Sequence, residues 1–233
     1  AEIAEPVTQI TLTDLDAPVV GQPFDYTYNW DYMQYVSPSY SMDGDYTLNG
    51  VTWIDVTDPQ NPTLMIPEVS VAIEGHTYCV EMLVGTTNYR VFSLNEALMP
   101  EGINATLNGE PCNIVTADGL HPTRVLKLMY NIPTSPIIEW NVSLSDSIGI
   151  NFIADLEAED VVTAEINGKS IDIAKTENSD GTYKLSVQLA AAQMTDEIKL
   201  MINGTPLITT YSVRKYADYV LYLSGLTYLQ AHG

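Results

Sequence analysis

Basic residues are scarce in this 233-residue sequence. Nine Lys and Arg stand against 30 Asp and Glu, a formal net charge of -21. A surface of that sign repels phosphate backbones and anionic headgroups, which argues against nucleic-acid and membrane-surface binding. No apolar run approaches the ~18 residues of a bilayer-spanning helix, so membrane insertion is not expected. Cysteine is nearly absent: Cys79 and Cys112 are the only two. Two thiols make no disulfide framework. They leave open a single bridge, if their strands adjoin, or two separate buried side chains. Histidine is equally rare, at His76, His121 and His232. These residues do not cluster, so no zinc site is read. There is also no P-loop, no Gly-x-Gly-x-x-Gly, no His-Glu-x-x-His and no Gly-x-Ser-x-Gly elbow. No catalytic residue, metal or cofactor is assigned. A glycosidase would need two carboxylates facing each other across a cleft, and 30 acidic residues single out no pair.

What the sequence does have is alternation. Hydrophobic residues make up 45% of the chain, enough for real cores. Period-two runs predict strands at Ile10–Thr13, across residues 24–32, at 51–56, 77–84, 103–107, 112–115 and 125–130, and again from Ile137 onward. Asn108-Gly109, Asn167-Gly168 and Asn203-Gly204 punctuate these runs. Asn and Gly both tolerate the positive φ of a type I′ turn, so each pair predicts a hairpin. Pro133 and Pro136 interrupt the pattern and mark a boundary. Helix is scarce: one turn is expected across Leu189 to Met194, and the best helix near the end. There Val213, Tyr216, Ala217, Val220 and Leu221 form an apolar stripe behind Ser212 as N-cap. The fold class is therefore all-β: two tandem Ig-like β-sandwich domains, residues 1–133 and 137–233, with a short C-terminal α-helix.

Charge is uneven between the halves. Residues 1–136 carry 17 acidic and 3 basic side chains, and residues 137–233 carry 13 and 6. The turns Asp43-Gly44-Asp45 and Asp155-Glu157-Glu159-Asp160 are rich in oxygen and leave Ca²⁺ binding as an alternative, but they lack EF-hand spacing, and solvated turns are the favoured reading.

Two stretches carry a resemblance. Pro18-Val19-Val20-Gly21-Gln22-Pro23, Val51-Thr52-Trp53, Glu74-Gly75-His76-Thr77-Tyr78 and Ala105-Thr106-Leu107-Asn108-Gly109 resemble an immunoglobulin-like repeat of secreted proteins of gut Firmicutes. Residues 144–152, 194–198 and 211–217 resemble a second module of similar surface proteins. The resemblance implies an extracellular or cell-surface location. It also implies other modules of the same parent protein as neighbours, and no catalytic residues.

The candidate binding residues lie in an aromatic segment, residues 26–46. If residues 24–32 form one strand, Tyr26, Tyr28, Trp30 and Tyr32 share a face, and Tyr26 and Tyr28 point into the core. Beyond Tyr32 the alternation breaks, leaving Trp30, Tyr32, Tyr35 and Tyr40 to meet a ligand. Aromatic faces beside carboxylates and amides suit the C–H faces and hydroxyl edges of a glycan, or a protein partner. The expected role is a non-catalytic accessory module for spacing and adhesion or ligand capture, with carbohydrate binding on this platform as the alternative.

Overall fold

A computed structural model describes residues 5–40, 44–144, 148–218 and 220–221. The chain is all-β, with one short helix. It divides into two compact units, Ala1–Ser135 and Pro136–Gly233.

Unit 2 is the simpler. Four antiparallel strands lie in the order Ile137–Ser143, Ile148–Ala154, Tyr183–Leu189, Ala174–Glu177. A second sheet runs Lys169–Asp172, Val162–Ile166, Ile198–Ile202, Thr205–Tyr211. Alternation decides what each strand buries. Ile150, Phe152 and Ala154, then Tyr183, Leu185 and Val187, turn inward from the first sheet. Val162, Ala164, Ile166, Ile198 and Leu200 do so from the second, and all join one cluster. Phe152 and Tyr211 meet edge to face at 4.9 Å within it.

Unit 1 holds a seven-stranded sheet built on Thr77–Thr86. That strand is flanked by Val125–Pro133 on one side, and by Val51–Asp55 and Val36–Pro38 on the other. A four-stranded sheet runs Glu110–Pro111, Asn104–Leu107, Gln9–Thr13, Asn29–Trp30, and its central pair is parallel. Trp53 is fully buried. Its indole N–H donates to the Asp25 carbonyl at 2.6 Å, and its ring lies 5.3 Å from Phe24.

All three expected Asn-Gly turns form, with both residues at positive φ. The strand expected at 112–115 after the first hairpin behaves differently. Glu110–Pro111 completes the hairpin, whereas Asn113–Thr116 crosses to the other sheet and pairs with Val125–Pro133. A fourth turn of the same type, Asn49-Gly50, joins Thr47–Leu48 to Val51–Asp55.

Other expectations are corrected. Residues 24–32 do not form one strand: only Asn29–Trp30 pairs, against Leu12 and Thr13. Phe24, Tyr26 and Tyr28 are still buried, so the segment packs by alternation without a ladder. Pro133 does not end its ladder early but is the last residue in it, opposite Thr77. The helix starts where expected, with the Lys215 N–H donating to Ser212 Oγ at 3.1 Å. Only its first turn is covered, however: Val213 is buried, while Ala217, Val220 and Leu221 are exposed.

Burial also sets a stability prediction at Tyr26. Desolvation pushes its phenol up to about 12, and among the described residues its buried hydroxyl has no hydrogen-bond partner. Tyr26→Phe removes that desolvated hydroxyl and keeps the ring. It is expected to stabilise unit 1 by about 1 kcal/mol, read from urea denaturation.

Candidate functional site

The aromatic segment is organised around a tight turn. Residues 32–34 form a 3-10 turn, capped by Asp31 Oδ1, which accepts the Met33 N–H at 2.9 Å, and closed by Tyr35 at φ 60°. A single side chain pins this turn to the edge of the four-stranded sheet. Gln34 Oε1 accepts the Thr11 backbone N–H at 2.7 Å, and Gln34 Nε2 donates to Thr11 Oγ1 at 3.0 Å. The Asp31 N–H completes the seam on the Thr11 carbonyl. The glutamine amide thus stands in for a strand partner.

The structure places the four candidates differently. Tyr32 is 74% exposed and projects from the pinned turn beside exposed Met33. Trp30 is 38% exposed and leans on the buried Tyr28 ring, edge to face at 6.4 Å. Tyr35 is half-buried, with the Arg90 guanidinium 4.3 Å from its ring centre. Tyr40 is 56% exposed and follows Ser39 at the far end of the Val36–Pro38 strand. Its segment and the Trp30 segment meet at one carbonyl. Leu83 O accepts the Ser39 N–H at 2.9 Å and the Tyr28 hydroxyl at 3.3 Å. Trp30, Tyr32 and Tyr35 are therefore held together by one turn, with Tyr40 tied in through Leu83.

Sequence reasoning passed over Tyr89 and Arg90. Tyr89 occupies a turn at φ 61° and is 88% exposed. The Thr87 N–H on the Tyr35 carbonyl, at 2.8 Å, sets this turn against the first one. Arg90 also pairs with Glu5, whose carboxylate raises the arginine further above its ordinary range. No local pattern links residues 35 and 90; the only hint was the rarity of arginine in this half.

Two histidines have side-chain partners, and His232 lies outside the described residues. His121 Nδ1 lies 2.8 Å from Thr123 Oγ1, within one exposed turn. His76 Nδ1 sits 2.6 Å from Asp55 Oδ2, with its ring stacked near Tyr78. Burial works against the Asp55 charge. Hydrogen bonds from the Thr57 hydroxyl, the His76 ring and the Thr57 N–H outweigh it, and hold the carboxyl below its ordinary range. A carboxyl depressed in the fold contributes stability that is full above its unfolded value of about 4 and is lost as pH falls through the lower folded value. Thermal melts from pH 7 to pH 3 are therefore expected to fall less steeply in Asp55→Asn than in wild type.

Cys79 and Cys112 are separate thiols, pushed up to about 11 and about 12, chiefly by burial. Neither offers a thiolate nucleophile near neutral pH. The acidic turn of unit 2 is closed by the chain's own cation. Lys175 Nζ donates to the carbonyls of Glu157, Ala158 and Asp160 at 2.8, 2.8 and 2.7 Å, and sits 4.6 Å from the centre of the Tyr183 ring. Asp160 is tied down in turn by Asn203 Nδ2 and the Glu157 N–H. In the other acidic turn, Asp43 lies outside the described residues. Among the described residues, no group of three His, Cys, Asp or Glu gathers to hold a metal, and no helix is long and apolar enough to cross a membrane.

No family model matches the chain, and no curated protein matches it either.

Proposed function

We propose that this chain is a non-catalytic binding and spacing module of an extracellular or cell-surface protein, and that unit 1 captures a glycan on Trp30 and Tyr32. The observation that carries the reading is the pinned turn. Here Gln34 fixes the backbone beneath Tyr32, and Tyr28 backs the Trp30 ring. With the backbone fixed beneath Tyr32 and the Trp30 ring backed by Tyr28, stacking on sugar C–H faces costs less ordering. Asn29, Asp31 and Gln34 put polar groups in the same segment.

Both units read as immunoglobulin-like sandwiches. For unit 2 the strand order supports this. Lettered in chain order with the fourth strand as C′, its sheets run A-B-E-D and C′-C-F-G, which is the immunoglobulin arrangement with one added edge strand. For unit 1 the support is the sequence resemblance, together with the buried Trp53 of its Val51-Thr52-Trp53 motif. The same resemblance supports the extracellular location and other modules of a parent protein as neighbours. The non-catalytic reading is supported by the two thiols, which burial raises well above neutral pH.

A glycan array is the test. Wild type is expected to give hits that Trp30→Ala and Tyr32→Ala each weaken by at least about tenfold, as for loss of a stacking ring, with melting temperatures unchanged. Hits that survive both substitutions would place the binding elsewhere. An array without hits would leave spacing or protein docking as the role.

A further inference from the structure

We propose that the glycan taken by unit 1 carries a carboxylate, bound by Arg90 and Arg124 beside the rings of Tyr35 and Tyr89. This rests on the glycan reading above and gives the glycan an acidic end on the neighbouring turn, which joins the Tyr32–Tyr35 turn through the Thr87 N–H on the Tyr35 carbonyl.

The first 136 residues contain only three basic side chains, Arg90, Arg124 and Lys127. Lys127 is tied to Glu81 at 2.8 Å. The other two are neighbours: Arg124 Nη1 donates to the Arg90 carbonyl at 2.8 Å. In a chain so acidic, both arginines of this half converge on the spot where the two aromatic turns meet. Arg124 is exposed, and its guanidinium rests on a neutral acceptor. Among the described residues no carboxylate pairs with it. A guanidinium presents parallel N–H groups that match a carboxylate in plane, which a lysine does not.

Arg90 already displays the recognition. Its guanidinium lies over the Tyr35 ring and holds the Glu5 carboxylate, whose side chain is 76% exposed. The chain's own carboxylate thus occupies one arginine, next to an aromatic face, while the second arginine stands open beside it. Tyr35 and Tyr89 sit at φ 60° and 61°. Left-handed backbone costs an ordinary side chain about 1–2 kcal/mol, and Gly or Asn would fill both positions more cheaply. Here that backbone places two rings on adjoining turns.

A sugar acid fits these groups. Its ring stacks on Tyr35 or Tyr89, and its carboxylate displaces Glu5 from Arg90 or engages Arg124. Within the first 136 residues the other basic side chain, Lys127, is paired with Glu81, so in this half a carboxylate finds its cations at Arg90 and Arg124.

The test is an array of sialyl, glucuronyl and galacturonyl oligosaccharides, each printed beside a methyl-esterified counterpart, followed by calorimetric titration of the strongest acidic hit. Binding is expected for the acids and not for the esters. Arg124→Gln is expected to weaken it by at least about tenfold, the loss of one charged hydrogen-bonded contact. Its melting temperature should stay unchanged, because the side chain is exposed. Glu5→Gln is expected to tighten binding several-fold by removing the internal competitor, a gain that a merely structural ion pair would not give. If esters bind as well as acids and Arg124→Gln and Glu5→Gln change nothing, the carboxylate site is overturned and the glycan reading stands. If no glycan of either kind binds, both fall together.

Discussion

Trp53→Ala is expected to destabilise unit 1 by about 3–5 kcal/mol, the range for removing a large aromatic side chain from a packed core. Three losses add up at this position. The indole is fully buried, so its removal opens a cavity that the neighbouring strands close only in part. Its contact with Phe24 disappears, and Phe24 in turn packs edge to face on Tyr78 at 4.8 Å. The Asp25 carbonyl loses its indole donor. Trp53→Phe separates these contributions. It retains a ring against Phe24 and gives up the hydrogen bond, and its expected cost is about 1–2 kcal/mol. Far-UV circular dichroism in urea reads both variants. Equal costs for the two would show that the hydrogen bond, and not the packing, dominates.

Gly50→Ala is the second large effect. Gly50 holds φ 72° in the Asn49-Gly50 turn, and a Cβ there would stand 2.5 Å from the Ser39 carbonyl oxygen and 3.4 Å from that of Leu83. Both are backbone atoms and cannot rotate aside. Positive φ alone costs about 1–2 kcal/mol, and relief of the clash adds backbone displacement, so a total of about 3–4 kcal/mol is expected. The clash falls on Ser39, whose own N–H bonds the Leu83 carbonyl that also accepts the Tyr28 hydroxyl. Glycan binding is therefore expected to weaken along with stability, whereas Asn49→Ala, which leaves Gly50 in place, spares both more. Urea denaturation of the two variants checks the contrast.

Much of this architecture could be read locally. An Asn-Gly pair needs only its own backbone freedom to specify a turn, and three such pairs were legible from the residues on either side of them. Asn49-Gly50 carried the same signal and was passed over, because the strand before it is only two residues long. Ser212 was legible as a cap for the same local reason. The buried face of unit 2 followed from alternation alone, as at Ile150, Phe152 and Ala154. Residues 24–28 misled, because alternation reports which side chains are buried and not whether the backbone finds a ladder. The candidate site depends on contacts far apart in the chain: Gln34 with Thr11, Tyr35 with Arg90, and Arg90 with Glu5. None of these leaves a periodic trace. The Lys175 cage is likewise closed from 15 to 18 residues away by carbonyls, which no side-chain pattern encodes.

The physical logic of unit 1 is that scarce groups are concentrated and fixed in place. Exposed rings on a mobile loop would give up binding energy to ordering. Gln34, Leu83 O and the Tyr35–Arg90 stack supply that order in the unbound protein.

The most direct measurement is an amide and indole NMR titration of the labelled protein with a glycan identified on the array. The chain has three indole N–H probes, at Trp30, Trp53 and Trp140. The account predicts that the Trp30 indole and the amides of residues 31–35 shift on binding, while the Trp53 and Trp140 indoles stay in place. Shifts confined to other surfaces, with the Trp30 signal unmoved at saturation, would contradict it.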